Sequence, residues 1–429
     1  MLIVSFTALA ALWRRPRLEG APVRPLPPGL QAILLSPWLR VALGGLSVAL
    51  FALVSLAALL GERSPTQNLA PTFVWVVFWL GLVPVVVVFG NVWRVLSPWA
   101  AVADGVAWAW RRSGRRWEPP WPYPDGAGRW PATAFLFAFT ALELAYTNPA
   151  DPAILALAIY LYSAATWVGM LAHGREAWLE NGEAFNVYFG LLGRLAPFGT
   201  RKTDDRREIV VRPPLAGLAE GEPRRGTLAF VAVMLGSVAF DSVGRMSWWI
   251  ERRFSLTADL ISESPGLADA VAMLFNLAGL TACVSLVAAA YLAAVSAARV
   301  LGASEQPLAG AFMGSLVPIA LAYAVAHYFS LLVLQGQFAI PLLSDPFGWG
   351  WDLFGTADFR PNLRVLTPSL VWYVQVGALV VGHVLGLVLA HDRAVSLFSS
   401  PGRAVRTQYA LLALMVLYTV GGLWLLSSG

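Results

Sequence analysis

Apolar residues along this chain neither alternate nor form narrow amphipathic stripes. They run unbroken for long stretches, separated by shorter polar segments rich in Arg, Pro and Gly. A run of about 20 residues crosses a hydrocarbon core of about 30 Å as a helix, at about 1.5 Å per residue. The runs fall at Leu2–Trp13, Leu39–Leu60, Phe73–Trp93, Thr133–Thr147, Ala153–Ala172, Thr227–Arg245, Ala270–Ala298, Met313–Gly336, Leu370–Ala390 and Tyr409–Ser427. This pattern predicts an all-α fold: a polytopic transmembrane helix bundle of about nine full spans behind a partial N-terminal span. The first run is too short to cross, and "RRPR" follows it as a stop signal would. A secretory signal would carry its charge ahead of the run, so the stretch reads as a helix whose start is missing.

Residues 1–429 therefore form a single integral membrane domain with three non-spanning pieces. The 94–132 loop mixes Arg, Trp and Pro, which suits an interfacial anchor. The 173–226 loop contains "GEAFNVYFGLLGRLAPF", where Glu183, Asn186, Gly190 and Arg194 share helical spacing. That spacing predicts an amphipathic helix lying in the interface. The 337–369 loop is long and rich in Trp, Phe, Gly and Asp, including Trp349, Trp351 and Asp352. Loops of that length are commonly functional or disordered, and aromatic content argues against disorder, so a lid or vestibule is expected. A faint internal echo links "NVWRVLSPW" to "NVYFGLLGRLAPF", which share Asn-Val-aromatic and then Leu-x-Pro-aromatic.

Composition agrees with the pattern. The chain is 58% hydrophobic and 13% charged, with mean hydropathy +0.64, against about a quarter charged in soluble chains. The formal net charge of +5 points to orientation in a membrane and not to nucleic acid, because of where the cations sit. Placing Arg14–Arg40, Arg94–Arg129, Arg175–Arg225, Arg299 and Arg393–Arg406 on one side leaves only Arg63, Arg245, Arg252, Arg253, Arg360 and Arg364 on the other. The rich side is expected to be cytoplasmic, in a bacterial inner membrane. The single cysteine, Cys283, excludes an intrachain disulfide.

Ionisable residues inside spans are costly unless paired, so they are functional candidates. Glu143 lies in "FTALELAYT". Ser237, Asp241 and Arg245 form a stripe at i, i+4, i+8; this is either a simple ion pair or part of a site. Tyr323, His327 and Ser330 share a face of the next candidate span. His383 flanks a small-residue face made by Gly382 and Gly386, which directs it into the bundle. Counted from the outer ends, Glu143 and Asp241 lie about 6 Å deep, Asn276 about 9 Å, His327 about 14 Å and His383 about 20 Å. A water-filled funnel open to the outside, beneath the aromatic loop, would hold all five. For His327 and His383 the alternative is an interhelical hydrogen bond. His391 reads as lying outside any site, with Asp392 and Arg393 facing the cytoplasm.

The stretches "GNVWRVLSPW", "GEAFNVYFGLLGRLAPF", "QGQFAIPLLSDPFGWGWDLFGTADF" and "WYVQVGALVVGHVLGLVLAHDRA" resemble a family of multispanning bacterial membrane proteins, frequent in actinobacteria, identified as fenitrothion hydrolases. The resemblance runs over nearly the whole chain. It implies hydrolysis of a lipophilic organophosphate triester with release of a nitrophenol. Relatives typically carry an N-terminal extension, in keeping with the short first run. No catalytic residue is carried over from the family.

Phosphotriester hydrolysis at neutral pH needs water activated by a metal or a general base. His327 and His383, with Asp241 or Glu143, would supply ligands for one divalent ion, zinc or copper. Those four residues are the catalytic candidates; Asn276, Tyr323, Trp349, Trp351 and Asp352 are the substrate-binding ones. The expected partners are the bilayer, a lipophilic small molecule and a second membrane subunit. A permease for a small molecule or metal ion fits the same pattern, as does a non-catalytic assembly protein.

Overall fold

Four helices of this protein begin alike. Ser36-Pro37, Ser97-Pro98, Asp151-Pro152 and Thr367-Pro368 each place a side-chain oxygen on a first-turn amide, with proline at the first helical position. The oxygen satisfies an orphan N–H, and proline's fixed φ suits a position that needs no donor. The computed structural model describes residues 1–115, 117–203, 206–220, 224–304 and 308–428. Parts of the expected 94–132 and 173–226 loops, at 116, 204–205 and 221–223, lie outside the described residues.

In chain order the main helices are α1 (Leu2–Leu12), α2 (Pro37–Leu60), α3 (Leu69–Phe89), α4 (Pro98–Arg112), α5 (Trp130–Leu144), α6 (Pro152–His173) and α7 (Ala184–Leu192). They continue as α8 (Thr227–Gly244), α9 (Ser247–Glu263), α10 (Pro265–Leu301), α11 (Leu316–Gln335), α12 (Pro368–Leu397) and α13 (Pro401–Ser428). Among the described residues eight helical stretches are long and apolar enough to cross a membrane. The protein is a multi-pass, membrane-embedded helical bundle. α1 and α5 are apolar but shorter, so α5 falls short of the full span expected at Thr133–Thr147.

A small sheet accompanies the helices. β1 (Arg24–Pro25) and β2 (Phe198–Thr203) flank β3 (Arg206–Val211), all antiparallel, with Arg24 opposite Val211 and Phe198 opposite Val211. The sheet ties the segment after α1 to the loop after α7. A second tie is made by Asp392, fully buried. Its carboxylate accepts from Trp13 Nε1 at 2.9 Å, from the Arg17 amide at 2.6 Å and from the Glu19 amide at 3.1 Å. His391, also buried, faces the Trp13 carbonyl and Gln408, each at 2.9 Å. The expectation that Asp392 faces solvent is therefore corrected. A carboxylate this buried is tolerated because backbone donors surround it.

α11 and α12 pack along their length. A Cβ on Gly382 would come within 2.2 Å of the Ala322 Cβ, and one on Gly386 within 2.7 Å of the Ser315 carbonyl. Without a hydrophobic drive between helices in lipid, such close backbone approach is what holds spans together.

The amphipathic element lies elsewhere than expected. In α7, Ala184 to Phe189 are all buried, as are Leu191 and Leu192, so it is a half-helix enclosed in the bundle and not an interfacial one. Glu183 caps it, accepting from the Phe185 and Asn186 amides at 3.0 and 2.6 Å, and from Tyr162 and Trp93 side chains. The few polar groups are satisfied internally, which lets the helix sink. The amphipathic surface helices are α4, with Val106 and Trp108 exposed, and α9, with Ile250, Phe254 and Ile261 exposed.

Candidate functional site

The sequence of α3 produces an irregularity beside the bundle centre. Between Phe73 and Phe78 the turn widens, with Trp79 N bonded to Val74 O and Gly81 N to Val76 O. Such wide turns concentrate at functional sites. Here the widening coincides with Trp79, whose buried indole stacks obliquely on Tyr188 of α7 with ring centres 4.6 Å apart.

Next to this pair is a cavity of about 330 Å³. α3 contributes Trp79, Val83, Pro84 and Val88, α5 contributes Leu136, Thr140 and Glu143, and α7 contributes Tyr188. α8 adds Met234, Ser237 and Val238, and α11 adds Ala320, Ala324, Val325, Tyr328 and Leu332. The lining is overwhelmingly apolar. Its wall at Pro84 and Val88 is exposed on the outside of the bundle, while Trp79, Leu136 and Ala320 are buried. The cavity thus reaches the outer side of the bundle along α3.

Its polar groups gather at one end. Glu143 sits in the last turn of α5, and Tyr188 and Tyr328 lie within its electrostatic reach. Among the described residues the Glu143 carboxyl makes no ion pair, and neither tyrosine hydroxyl makes a hydrogen bond. The Trp79 indole N–H, on the same wall, is directed at the Glu143 carboxyl without completing a well-aligned hydrogen bond. Unused donors and acceptors gathered on one apolar cavity are uncommon, because leaving them unpaired is costly.

Behind Glu143, toward the end of α8, Asp241 is buried and fully engaged. Arg245 Nε and Nη2 reach Oδ1 and Oδ2, each at 3.1 Å, and His327 Nε2 approaches Oδ2 at 2.8 Å. Both readings of the Asp241–Arg245 spacing meet here: an i, i+4 ion pair that also anchors a histidine from another helix. The Arg245 side chain is 63% exposed, so this charged layer connects the cavity end to the surface.

The structure thus brings Glu143, Asp241 and His327 together and leaves the other candidates apart. His383 is fully buried, as its glycine-flanked face implies, but its Nδ1 contacts the Leu379 carbonyl at 2.7 Å on its own helix. Tyr323 lies beside it, ring centres 6.0 Å apart, and donates to the Tyr418 carbonyl. Among the described residues no three His, Cys, Asp or Glu side chains are grouped to hold a metal ion. Asn276 accepts from Trp249 Nε1 at 3.1 Å and donates to the Ala145 carbonyl at 3.4 Å. It secures the end of α5 and so positions Glu143 indirectly.

The aromatic loop does not cover this cluster. Phe347 is buried with Val54, Ala57, Leu69 and Ala156, and its carbonyl accepts from the Glu62 amide at 2.8 Å. Trp349 stacks on Phe347 with ring centres 4.4 Å apart, and Trp351 meets both edge-on. Asp352 accepts from Ser344 Oγ at 2.7 Å and the Ala357 amide at 2.9 Å. The loop packs on α2, α3 and α6, apart from the cavity at Glu143.

Tyr188, Tyr328 and Trp79 escaped the sequence reading because tyrosine and tryptophan at helical spacing look like ordinary core. The chain matches no family model, no curated protein and no solved structure.

Proposed function

We propose that this protein is an intramembrane hydrolase that draws a lipophilic ester sideways from the bilayer into the cavity between α3 and α11. The observation that supports the reading is Glu143 with Tyr188 and Tyr328 in its electrostatic reach, neither hydroxyl hydrogen-bonded among the described residues, at the polar end of an apolar cavity. The resemblance noted above makes an organophosphate triester the substrate to try first. In this reading Glu143 takes a proton from water, and the water oxygen bonds to phosphorus. The aryloxide leaves, and it takes the proton from Glu143 to become the phenol. Tyrosine hydroxyls donate to the phosphoryl oxygen as its charge grows. The Asp241–Arg245–His327 layer, reaching the surface, is the route for water.

Turnover of a nitrophenyl triester by purified protein in proteoliposomes tests it. Glu143→Gln is expected to slow release of nitrophenol by about a hundredfold or more. Undiminished release by that variant would sink the reading. Carriage of the intact molecule is a second reading, favoured by the widened turn in α3 and the enclosed half-helix α7, since interrupted helices line transporter sites. Movement across the proteoliposome without product would select it.

The membrane proposed is a bacterial inner membrane, with the Arg-rich ends cytoplasmic. Reporter fusions at Gly126 should then read as cytoplasmic and at Pro65 as external; the reverse would overturn the orientation.

A further inference from the structure

Four arginines converge where α5 and α8 begin. Arg129 immediately precedes α5, Arg194 follows α7, Arg212 follows β3, and Arg224 lies just before α8. Arg129, Arg194 and Arg224 are within one another's electrostatic reach, and Arg212 is within reach of Arg194. Like charges this close repel, and two acids stand against the four cations. Glu180 pairs with Arg224 at 2.9 Å and lies in reach of Arg129, and the exposed Glu220 lies in electrostatic reach of Arg194 and Arg212 without an ion pair among the described residues.

The donors are also underused. Arg224 is engaged, with Asn181 Oδ1 at 2.6 Å as well as Glu180. Among the described residues the Arg129 side chain reaches only Thr227 Oγ1, at 3.4 Å, and its Nε is buried without a partner. Arg212 Nε is likewise buried and unpartnered, with the guanidinium lying close against two glycines. A Cβ on Gly217 would fall 2.2 Å from Arg212 Nη2, and one on Gly199 would fall 2.9 Å from Arg212 Cζ. Two glycines thus clear the space this guanidinium fills. Arg194, half-buried, has no hydrogen bond or ion pair among the described residues. Burial and the neighbouring guanidinium groups push Arg129 down to about 10.

Two helix N-termini add to the field. α5 and α8 both start without a side-chain cap, and a Cβ on Gly226 would stand 2.8 Å from the Trp130 amide, so the two ends adjoin. Each end carries partial positive charge, although the Arg129, Trp130 and Thr227 amides are already bonded, to the Arg225, Ala127 and Arg224 carbonyls, so the arginine side chains supply the donors.

We propose that Arg129, Arg194 and Arg212, beside the paired starts of α5 and α8, form a binding site for a phosphate group. Planar guanidinium forks suit phosphate oxygens, and an anion here would satisfy the orphaned donors and relieve the repulsion. α5 and α8 enter the apolar bundle from this point, which sets the site at the level of lipid headgroups. The phosphate therefore comes from an anionic phospholipid or from a soluble phosphate compound. The chemistry is the same, and the source is a matter for experiment.

The test measures thermal unfolding of the full chain in two settings at matched ionic strength. One is detergent with sodium phosphate against sodium chloride; the other is nanodiscs of phosphatidylcholine with and without phosphatidylglycerol. Stabilisation by phosphate in detergent identifies a soluble ligand, and stabilisation by phosphatidylglycerol alone identifies a headgroup. Arg194→Gln and Arg212→Gln should each weaken the response about tenfold while folding normally without the anion. Arg201→Gln, on the exposed hairpin, should respond as the unmodified chain does. Glu220→Gln removes a competing charge from the surface and should tighten binding, a gain that a misfolded variant could not give. The absence of stabilisation in both settings, or an unaltered response in both Arg194→Gln and Arg212→Gln, would overturn the site.

Discussion

Asn91 and Asn186 meet side chain to side chain, Nδ2 of the first donating to Oδ1 of the second at 3.2 Å. They open the two stretches that share Asn-Val-aromatic and Leu-x-Pro-aromatic spacing, so the similarity in sequence is also a contact in space. Asn186 does more of the bonding, because its own Nδ2 donates to the buried Leu179 carbonyl at 2.7 Å. Asn186→Ala would leave both partners unsatisfied and should cost about 1–3 kcal/mol of stability. Asn91→Ala should cost less, since Asn91 Oδ1 already lacks a partner. Thermal unfolding of the two variants in one detergent checks the order; equal losses would mean the contact is incidental.

Glu176 joins three arginines on the same end of the bundle: Arg94, Arg175 and, at 3.0 Å, Arg207. Burial pushes its carboxyl up, but the guanidinium groups outweigh that and hold it below the usual carboxylate range. A carboxyl lowered on folding binds its proton more readily in the unfolded chain. Its stabilisation is therefore complete above the unfolded value of about 4.3 and fades as pH falls through the folded value. The side chain is 47% exposed, so solvent screens much of the effect. Glu176→Gln should flatten the acid limb of a stability–pH curve while leaving the limb above neutrality unmoved. An unaltered acid limb would show that the cluster contributes nothing measurable.

The spans and their glycine-flanked contacts were legible because lipid leaves few options. A long apolar run must be helical, and Gly382 with Gly386 marks where a neighbour presses close. What escaped was depth and pairing. α7 looked interfacial because Glu183 and Asn186 are polar, yet cap bonds from Phe185 and Asn186 amides absorb Glu183 and allow burial. Asp392 looked solvated because it follows the end of an apolar run, yet the backbone after α1, far away in sequence, folds onto it. Nothing local in the sequence of the aromatic loop says that Phe347 docks beside Ala57 and Leu69. The cost of burial marks Glu143, Asp241 and His327 as candidates in the sequence. It does not mark Tyr188 and Tyr328, because an aromatic residue in a span has a cheaper explanation.

The two membrane histidines should behave differently. His327 approaches Asp241, whereas His383 contacts a carbonyl of its own helix, and its Nε2 is buried without a partner. His383→Ala should therefore leave the zinc and copper content of the purified protein unchanged and lower stability by about 1 kcal/mol. His327→Ala should weaken the Asp241 cluster while Arg245 still holds the carboxylate. Metal analysis before and after chelation, on both variants, decides the matter. Loss of a bound metal in each single variant would place the two imidazoles on one ion and displace Glu143 from the proposed chemistry.

The lateral opening can be closed without touching the polar end. Ala324 lines the cavity on α11 and is half-buried, and the exposed Val88 stands on the α3 side of the opening. Phenylalanine at position 324 adds a ring into a space lined by Val83, Val88 and Leu332, none of which makes a polar contact there. In the proposed lateral entry the mouth faces lipid, where the added surface is not penalised as it would be in water. Ala324→Phe should thus fold with nearly unchanged thermal stability, yet exclude a photoreactive lipophilic probe that labels Glu143 or Tyr328 in the unmodified chain. Glu143→Gln, by contrast, should keep the probe's access and lose only the chemistry. If Ala324→Phe were labelled at those residues as fully as the unmodified chain, entry would have to come from the Arg245 side. The cavity would then belong to an aqueous route and not a lipid one.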